Sequence, residues 1–470
     1  MDLGPALRQV AEGRAEASFE LFAQSLNPEW IERALRATGK ASVRRRKLPA
    51  EYVVWLVIGM GLLRDRSIAE VVRHLDLVLP GSDHDRQEVS GGAIVQARDR
   101  LGPQPLAWLF AHTAEVWATA SADEHRWRGL AVLGVDGTTL RVPDSPENDA
   151  EFGRPGTSRG GAAAGYPQLR AVALMVLRSH LLAALVLGPY RDGELTLAQT
   201  LWPKLPDRSL LIMDREFATY ELFQRLANPS RERYWLTRAK RGRRTAKLHT
   251  VQRLGPRDAI VELRPSLQTR RLHPTLPETL RVRAIHYQRP GFRPQILLTS
   301  LLDPDAYPAA EIRALYHERW ELELGFDEVK THTLEREEAS LRCKAPARVT
   351  QELWGLALAY NLVRLAMARV ARRADVSPTR ISYRHALNFI RLFWLSAHLV
   401  SPGALPRRLD ALHEELALLI LPPRRPRRFP RAVKIKMSKF PRKRPRPQRG
   451  LKCTALGLRD GSGKIGSSCA

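Results

Sequence analysis

Two short apolar runs, each ending in an aspartate, constrain the fold of this 470-residue chain most strongly. They read GLAVLGVD at 129–136 and SLLIMD at 209–214. Runs of this length, rich in Val, Ile and Leu, are typical of strands buried on both faces of a sheet. A carboxylate at the end of a buried strand is costly unless it is paired or bound to metal. Asp136 and Asp214 are therefore candidate metal ligands, with a helix cap, a salt bridge or a turn at DGTT as the alternatives.

A third acid lies on a predicted helix, YHERWELELGFDEVK, at 316–330. One carboxylate between two cations and a phenol suits chemistry on phosphate, because the carboxylate can hold a metal while the cations hold substrate oxygens. A solvated, salt-bridged helix face is the alternative. Asp327 falls on the same face, so geometry alone does not choose between it and Glu323. The side chains that lie within about 60° of one another at about 100° per residue are Tyr316, Arg319, Glu323 and Lys330.

Oxygen donors of this kind favour Mg²⁺ or Mn²⁺ over zinc. The three cysteines form no CxxC pair and the 13 histidines show no HExxH spacing, which argues against a zinc site. The chain has no GxxxxGK[ST] loop and no GxGxxG motif after a strand, so a nucleotide-driven or nicotinamide enzyme is not expected. A Ser-His-Asp hydrolase would need a G-x-S-x-G elbow, which is missing.

The charge balance indicates a polyanionic partner. The chain has 76 Lys and Arg against 49 Asp and Glu, a net charge of +27, and nucleic acid is the first expectation. Residues 423–450 hold 13 of these cations and no acid, which leaves +14 for the rest. This tail predicts sequence-independent contact with a DNA backbone, or else an extension without a role. The apolar run at 52–63 is too short to span a bilayer and predicts a buried helix, so no membrane partner is expected.

The periodicity predicts an α/β protein. From 129 to 240 the order is strand, hairpin, helix (192–205), strand, helix, strand, which predicts a mixed α/β sheet. After Ser90, a short helix presents Gln96, Arg98 and neighbouring charges, and it is either a DNA-contacting helix or an ordinary surface helix. We predict an N-terminal helical DNA-binding domain (1–120), a catalytic core (121–340) with a β-rich insertion (about 241–303), a C-terminal helical region (341–421) and a basic, disordered tail (422–470).

These motifs resemble those of a known family. The spacing Tyr316-(x2)-Arg319-(x3)-Glu323-(x6)-Lys330 is similar to the signature of the insertion-sequence-four family of bacterial DDE transposases. DGTT at 136–139 resembles the first aspartate block of that family, and MDREF at 213–217 resembles the second. Residues 17–115 also resemble the helical domain that precedes the catalytic core in one branch, so the similarity spans about 17–375.

The resemblance implies a DNA transposase with a catalytic, metal-binding triad of Asp136, Asp214 and Glu323, and it favours Glu323 over Asp327. It implies a ribonuclease-H-like fold and cut-and-paste chemistry with two Mg²⁺ (or Mn²⁺) ions, Asp136 bridging them. The expected partners are the terminal inverted repeats of the element and target DNA, both double-stranded, bound by a homodimer. The three cysteines fit the reducing cytoplasm of a bacterium, beside its nucleoid.

Further residues are expected to hold DNA. Tyr316, Arg319 and Lys330 would bind phosphates beside the cut, and Arg238, at the end of the strand YWLTR, would add a fourth contact or be one more solvated arginine. Trp320 would stack on a displaced base or pack in the core. Two rival functions remain: a DNA-binding regulator without catalysis, and a simple nuclease of the same fold. An intact set of acids argues against the first, and the large insertion against the second.

Overall fold

The computed structural model describes residues 26–41, 48–75, 89–155, 165–227, 229–240, 248–288, 294–334, 341–396 and 405–422. Its centre is one sheet, in which nine strands of the described residues pair. The predicted tail, 422–470, lies outside the described residues except for its first position. The strands are β1 Ala131–Arg141, β2 Gln168–Val176, β3 Leu182–Pro189, β4 Ser209–Met213, β5 Arg233–Arg238, β6 His249–Gly255, β7 Asp258–Leu263, β8 Leu280–Tyr287 and β9 Gln295–Thr299.

The first five strands form the expected catalytic core. Their order is β3–β2–β1–β4–β5. β1, β2 and β3 pair antiparallel, while β4 and β5 follow β1 in parallel. A three-stranded meander continued by two parallel strands is the arrangement of a ribonuclease-H-like core, so the predicted fold class is confirmed.

The β-rich insertion continues the same sheet. β9 pairs antiparallel with β5, from Leu236↔Thr299 to Arg238↔Leu297, and β8, β7 and β6 follow in order. Shared hydrogen bonds therefore tie the insertion to the core, which the sequence did not predict. The pairing has a physical reason. Without β9, the outer backbone N–H and C=O groups of β5 would be unpaired at an open edge of the sheet.

Helices cover both faces of the sheet. The helices at the two ends of the chain pack together on one face, where the absence of a side chain at Gly61 and Gly355 allows close crossing: an added Cβ would lie 3.0 Å from Ala359 and 2.6 Å from Val57, respectively. These helices are α1 Pro28–Ala37, α2 Ala50–Leu62, α3 Ile68–His74, α4 Gly91–Leu101, α5 Gln104–Glu124, α12 Pro346–Arg373, α13 Tyr383–Ser396 and α14 Leu405–Ala417. The others are α6 Pro146–Phe152, α7 Glu194–Ala198, α8 Tyr220–Leu226, α9 Leu267–Leu272, α10 Ala309–Leu315 and α11 Trp320–Asp327.

Most predicted elements are present, with two differences near the site. The helix expected at 192–205 is shorter, because α7 ends at Ala198 and a 3-10 turn follows at Trp202–Lys204. The sequence DGTT is a strand and not a turn, since β1 continues to Arg141. Its partner β2 extends β1 beyond the point where β4 ends, so the backbone of Asp136–Thr139 stays in a ladder.

The helix after Ser90 does not offer Arg98 to DNA. Ser90 caps α4 as expected, but Arg98 is 2% exposed and its Nε donates a 2.8 Å hydrogen bond to Gln351 of α12. Asp99 pairs with Arg348 of the same helix. α4 therefore joins the two helical regions, and the expectation of Arg98 as a DNA contact is wrong. The run at 52–63 is the buried helix α2, as predicted. Within the described residues, no helix is long and apolar enough to cross a bilayer.

Candidate active site

Three predicted site residues occupy one row across neighbouring parallel strands. The register pairs Val135 with Met213 and Met213 with Thr237. The next residues are Asp136 of β1, Asp214 directly after β4 and Arg238 at the end of β5. Because residues in register on parallel strands lie at the same level of a sheet, two carboxylates and a guanidinium occupy one row where β4 and β5 end.

The carboxyl group of Asp136 is half-buried, and no cation of the described residues is bonded to it. Burial raises the pKa of Asp136 to about 6; the Gly137 N–H and Arg319 act against this, while Glu194 and Asp214 add to it. Its carboxylate accepts a hydrogen bond from the Gly137 N–H at 2.8 Å, and Asp214 accepts one from the Arg215 N–H at 2.6 Å. Among the ion pairs of the described residues, none includes either aspartate. Both acids are thus able to accept a metal.

The segment 316–330 is one helical run whose pitch changes twice. Tyr316–Arg319 is 3-10 helical, α11 follows, and Glu328–Thr333 is π-helical. Residues i and i+3 eclipse in a 3-10 turn, so Tyr316 and Arg319 lie above one another. A wheel drawn at a single 100° per residue is therefore only approximate here.

Glycines let α11 lie against the sheet beside Asp136. A Cβ added to Gly134 of β1 would come within 2.6 Å of Leu322 Cδ1, and one added to Gly325 within 2.5 Å of Met175 Cε. Leu322 is 1% exposed. Because these contacts need bare backbone on each side, they set the distance between the helix that carries Glu323 and the strand that carries Asp136.

Arg319 links the acids of this edge. Its Nη2 donates a 2.8 Å hydrogen bond to Glu323 Oε1, and its side chain is 18% exposed. Burial works against the charge of Arg319, but Tyr316, Glu323 and Asp214 together raise its pKa. The pKa of Tyr316 is itself raised, mainly by burial, with Arg319 and Arg238 opposing. Tyr316, Arg319 and Arg238 therefore lie within electrostatic reach of the aspartates.

The remaining predicted residues lie toward solvent. Lys330 is exposed on the π turn. Asp327, the rival of Glu323, is exposed and accepts a 2.7 Å hydrogen bond from Thr331. Trp320 is 43% exposed, and the guanidinium carbon of Arg319 lies 5.6 Å from the centre of its ring. Trp320 is therefore not a core residue, and its ring is partly exposed to solvent.

Glu194 is a fourth acid at this edge that the sequence did not reveal. It is the first residue of α7, and a Cβ added to Gly137 would lie 2.4 Å from its Cδ. Arg170 of β2 holds it by a 2.9 Å hydrogen bond and lies 5.1 Å from the ring of Tyr190. An acid in the first turn of a helix is common for reasons of the helix dipole, so nothing in the sequence singled it out.

A cleft of about 560 Å³ opens beside Arg238, where the insertion joins the core. Arg257, His286 and Tyr287 line it with Arg238. The Tyr287 hydroxyl donates to Gln295 at 3.1 Å, and its ring meets that of His317 edge-on at 6.0 Å. Cationic and aromatic groups thus continue from the row of acids into the insertion.

The donor set suits a hard divalent cation, since Asp136, Asp214 and Glu323 offer only carboxylate oxygens. The raised pKa of Asp136 also fits, because a bound cation would relieve a buried charge. As the side chains lie, no group of three or more His, Cys, Asp or Glu among the described residues is close enough to hold a metal. In this arrangement Glu323 is bonded to Arg319.

The similarities of the chain to known proteins point the same way. Residues 16–111 match the family described as insertion element 4 transposase N-terminal, and residues 127–362 match the transposase DDE domain. The transposase InsG for insertion sequence element IS4 of Escherichia coli (strain K12) is 37% identical over 417 residues, 88% of this chain and 92% of InsG.

Two further similarities are more limited. A second protein of the same strain, the predicted transposase InsZ, is 36% identical over 219 residues. The match covers 47% of this chain and 71% of InsZ. A piggyBac transposase chain, from a synaptic complex with hairpin DNA solved by cryo-EM, aligns with 90% of this chain and 87% of its own length. Its identity is 11% and its TM-score is 0.43, a likeness too low to bear on the site.

Proposed function

Because the chain belongs to the insertion element 4 family of DDE transposases, and is thus a DNA transposase that depends on divalent metal, we propose that Asp136, Asp214 and Glu323 hold that metal. The observation that carries the proposal is the shared row of Asp136 and Asp214, where Asp136 is half-buried and bonded to no cation of the described residues. The close packing of α11 against β1 at Gly134, through Leu322, supports Glu323 as the third ligand.

The ion is Mg²⁺, with Mn²⁺ able to replace it, and two ions are bound in each site. These cations prefer carboxylate oxygens, and Asp136, Asp214 and Glu323 would hold the two ions together. When bound, the pair of ions stabilises charge on the attacking and leaving oxygens of the phosphodiester. A steep dependence of the cleavage rate on Mg²⁺ concentration, with an apparent order above one, is the test; a first-order dependence would favour a single ion.

The cationic groups around the triad bind the DNA backbone. Tyr316, Arg319, Lys330 and Arg238 hold phosphate oxygens beside the cut, and Trp320 stacks on a base displaced from the duplex. The support for this assignment is the position of Arg238 in the row, the proximity of Arg319 and Tyr316 to Asp214, and the exposure of Trp320.

The substrates are the double-stranded terminal inverted repeats of the element and a target duplex, in the bacterial cytoplasm beside the nucleoid. A homodimer brings the two ends together, because joining both ends to one target needs two sites. Mixing two end duplexes of different length with the protein tests this: a complex containing both lengths is expected, and a complex with a single duplex per protein would contradict it.

One assay separates the proposed function from its rivals. Purified protein, Mg²⁺ and supercoiled DNA carrying the inverted repeats that flank the coding sequence should give cleavage at the ends and joining to a target. Cleavage without joining would indicate a nuclease, and binding alone a regulator. The similarities to transposases favour neither rival.

A further inference from the structure

A network of buried and partly buried charged groups packs against the helical run that carries Glu323. Arg364 of α12 bonds both carboxylate oxygens of Glu328, and the Tyr360 hydroxyl donates to Glu328 Oε2 at 2.9 Å. The side chain of Arg364 is 1% exposed and that of Glu328 is 15% exposed. Burial alone would raise the pKa of Glu328, but Arg364 and His180 lower it to about 2. Glu328 is therefore an anion at any working pH.

His180 fastens the same helix at two points. It lies in the turn between β2 and β3 with a φ of 61°, a conformation that is uncommon outside glycine. Its Nε2 is 2.8 Å from Glu321 and its Nδ1 is 3.3 Å from Glu328. These two acids are seven residues apart on one face of the helical run, and Glu323 lies between them in the sequence but on another face.

Glu328 begins the π turn, and the turn is also held at its end. The Leu334 N–H donates to the Val329 carbonyl at 2.9 Å, which closes the wide ring of a π helix. The Thr333 hydroxyl donates to the Glu328 carbonyl at 3.0 Å and lies 2.7 Å from the hydroxyl of Tyr383. π turns are rare and often found at functional sites. Side chains of α12, of α13 and of the turn between β2 and β3 all bond to this π turn.

The extra residue in a π turn rotates every later side chain relative to an α-helix. Lys330 is the third residue of the turn, so its direction relative to Glu323 depends on whether residues 328–333 are π- or α-helical. A buried ion pair stabilises a fold less than apolar side chains of the same volume do. The better-supported role of such pairs is to favour one structural arrangement over others. The network is thus better explained by geometry than by stability.

We propose that Glu328 is a positioning residue for the reaction: its buried carboxylate, held by Arg364, His180 and Tyr360, fixes the π turn and so places Lys330 on the DNA relative to Glu323. The inference rests on the proposed role of Lys330 in binding a phosphate. It predicts that losing the network and losing Lys330 have the same effect on catalysis, and that the two losses do not add.

The test uses a matched pair of double variants. Arg364→Met with Glu328→Gln removes both charges and keeps an acceptor for Tyr360. Arg64→Met with Glu352→Gln is the control, because Arg64 and Glu352 form a second buried pair, 4% and 1% exposed, which joins the segment after α2 to α12. Lys330→Ala is then added to the wild type and to each double variant. The substrate is a duplex carrying the terminal inverted repeat that flanks the coding sequence, with Mg²⁺ present.

In the wild type, Lys330→Ala should lower the single-turnover cleavage rate about tenfold or more. The Arg364/Glu328 variant should lose a similar factor with its Kd for the duplex within about twofold, and adding Lys330→Ala should cost less than about twofold more. The Arg64/Glu352 variant should keep the full effect of Lys330→Ala. If the network only stabilised the fold, the Arg364/Glu328 variant would melt at a lower temperature. Its loss of cleavage rate and the loss caused by Lys330→Ala would then multiply.

Each contrary result has its own meaning. A wild-type cleavage rate in the Arg364/Glu328 variant, or multiplicative losses, would overturn the positioning role alone. A Lys330→Ala protein with wild-type cleavage would remove the proposed phosphate-binding role and the inference with it. If the double variant melts below the assay temperature, Arg364→Lys replaces it, since it keeps the charge but cannot bond both carboxylate oxygens in the same way. A reduced rate that Lys330→Ala does not lower further is expected, and a wild-type rate would overturn the proposal.

Discussion

The guanidinium of Arg319 donates a 2.8 Å hydrogen bond to Glu323, one helical turn along the chain, so the third acid of the proposed triad is neutralised by a cation of the protein itself. The pair is partly buried, with side chains 18% and 39% exposed. A metal that takes Glu323 as a ligand must therefore displace Arg319, which becomes free to bind a phosphate. The same residue would hold the site together before DNA arrives and hold DNA afterwards.

Arg319→Ala should separate these two roles. We expect tighter Mg²⁺ binding, because the competing cation is gone, and cleavage slower by about ten- to a hundredfold, because the variant cannot form a charge-assisted phosphate bond worth about 1.5–3 kcal/mol. Mg²⁺ affinity is read from the rise of melting temperature with Mg²⁺, and cleavage from single-turnover rates. Arg313→Ala, in the preceding helix α10, is the control. Weaker Mg²⁺ binding in Arg319→Ala would contradict the competition.

The triad can be tested by removing one acid at a time. Asp136→Ala, Asp214→Ala and Glu323→Ala should each abolish cleavage and leave binding to end DNA nearly intact, since each removes a metal ligand and no phosphate-binding group. Asp327→Ala is the matched control, an exposed acid on the same helix. Cleavage and gel-shift assays decide the matter. Cleavage that survives Glu323→Ala and disappears in Asp327→Ala would move the third ligand to Asp327.

Asp136 should lower the stability of the metal-free protein at neutral pH. Its pKa is raised from 3.8 to about 6 by burial, so the folded state binds the proton more tightly than the unfolded state. The resulting decrease in the free energy of unfolding is absent below about pH 4 and grows between about pH 4 and pH 6. Above about pH 6 it is complete and amounts to about 1–3 kcal/mol.

Asp136→Asn should therefore raise the melting temperature in EDTA at pH 7.5 and leave it unchanged at pH 4. Addition of Mg²⁺ should stabilise the wild type at pH 7.5 more than it stabilises Asp136→Asn. An equal gain in melting temperature at both pH values would show that packing, and not charge, is responsible.

Glu194 should tune the acid limb of the pH–rate profile. Its charge adds to the raised pKa of Asp136, so Glu194→Gln should lower that pKa and move the acid limb of the cleavage rate to lower pH. Glu147→Gln, an exposed acid in α6, is the control. An acid limb that stays in place in Glu194→Gln would mean that Arg170 already neutralises Glu194.

The basic tail after Leu421 should act on DNA of any sequence. Residues 423–450 of this tail hold 13 cations and no acid, which predicts binding to phosphates and not to base edges. Truncation there should weaken binding to end DNA and random DNA alike, and reduce the log–log salt slope by about 0.9 for each phosphate that the tail neutralises. An unchanged slope would indicate a tail without a role, and a selective loss of end recognition would contradict both interpretations.

The fold was readable from the sequence because its strands are short apolar runs and its turns are clear, as at Arg178–His180 between β2 and β3. The candidate acids also stood out, since a charge at the end of an apolar run is unusual. The shared register of Asp136, Asp214 and Arg238 could not be read, because local sequence does not encode which strands are neighbours.

Two kinds of error have physical causes. A wheel of constant pitch cannot foresee a 3-10 turn at Tyr316 or a π turn at Glu328, since distant partners such as Arg364 stabilise them. Arg98 was misread because a charged residue on a short helix normally faces water, and its partner Gln351 lies 253 residues away. In both cases tertiary contacts override the local pattern.

The strand order has a consequence for synthesis of the chain. β5 is complete at Arg238, but its outer partner β9 begins only at Gln295. During translation of the insertion, β5 is therefore an open edge, and a chain that stops there carries both aspartates and an unpaired strand prone to aggregate. The helix with Glu323 emerges later still. A nascent or truncated chain that ends in the insertion would thus lack the third acid. The proposed active site can therefore assemble only after translation has passed Glu323.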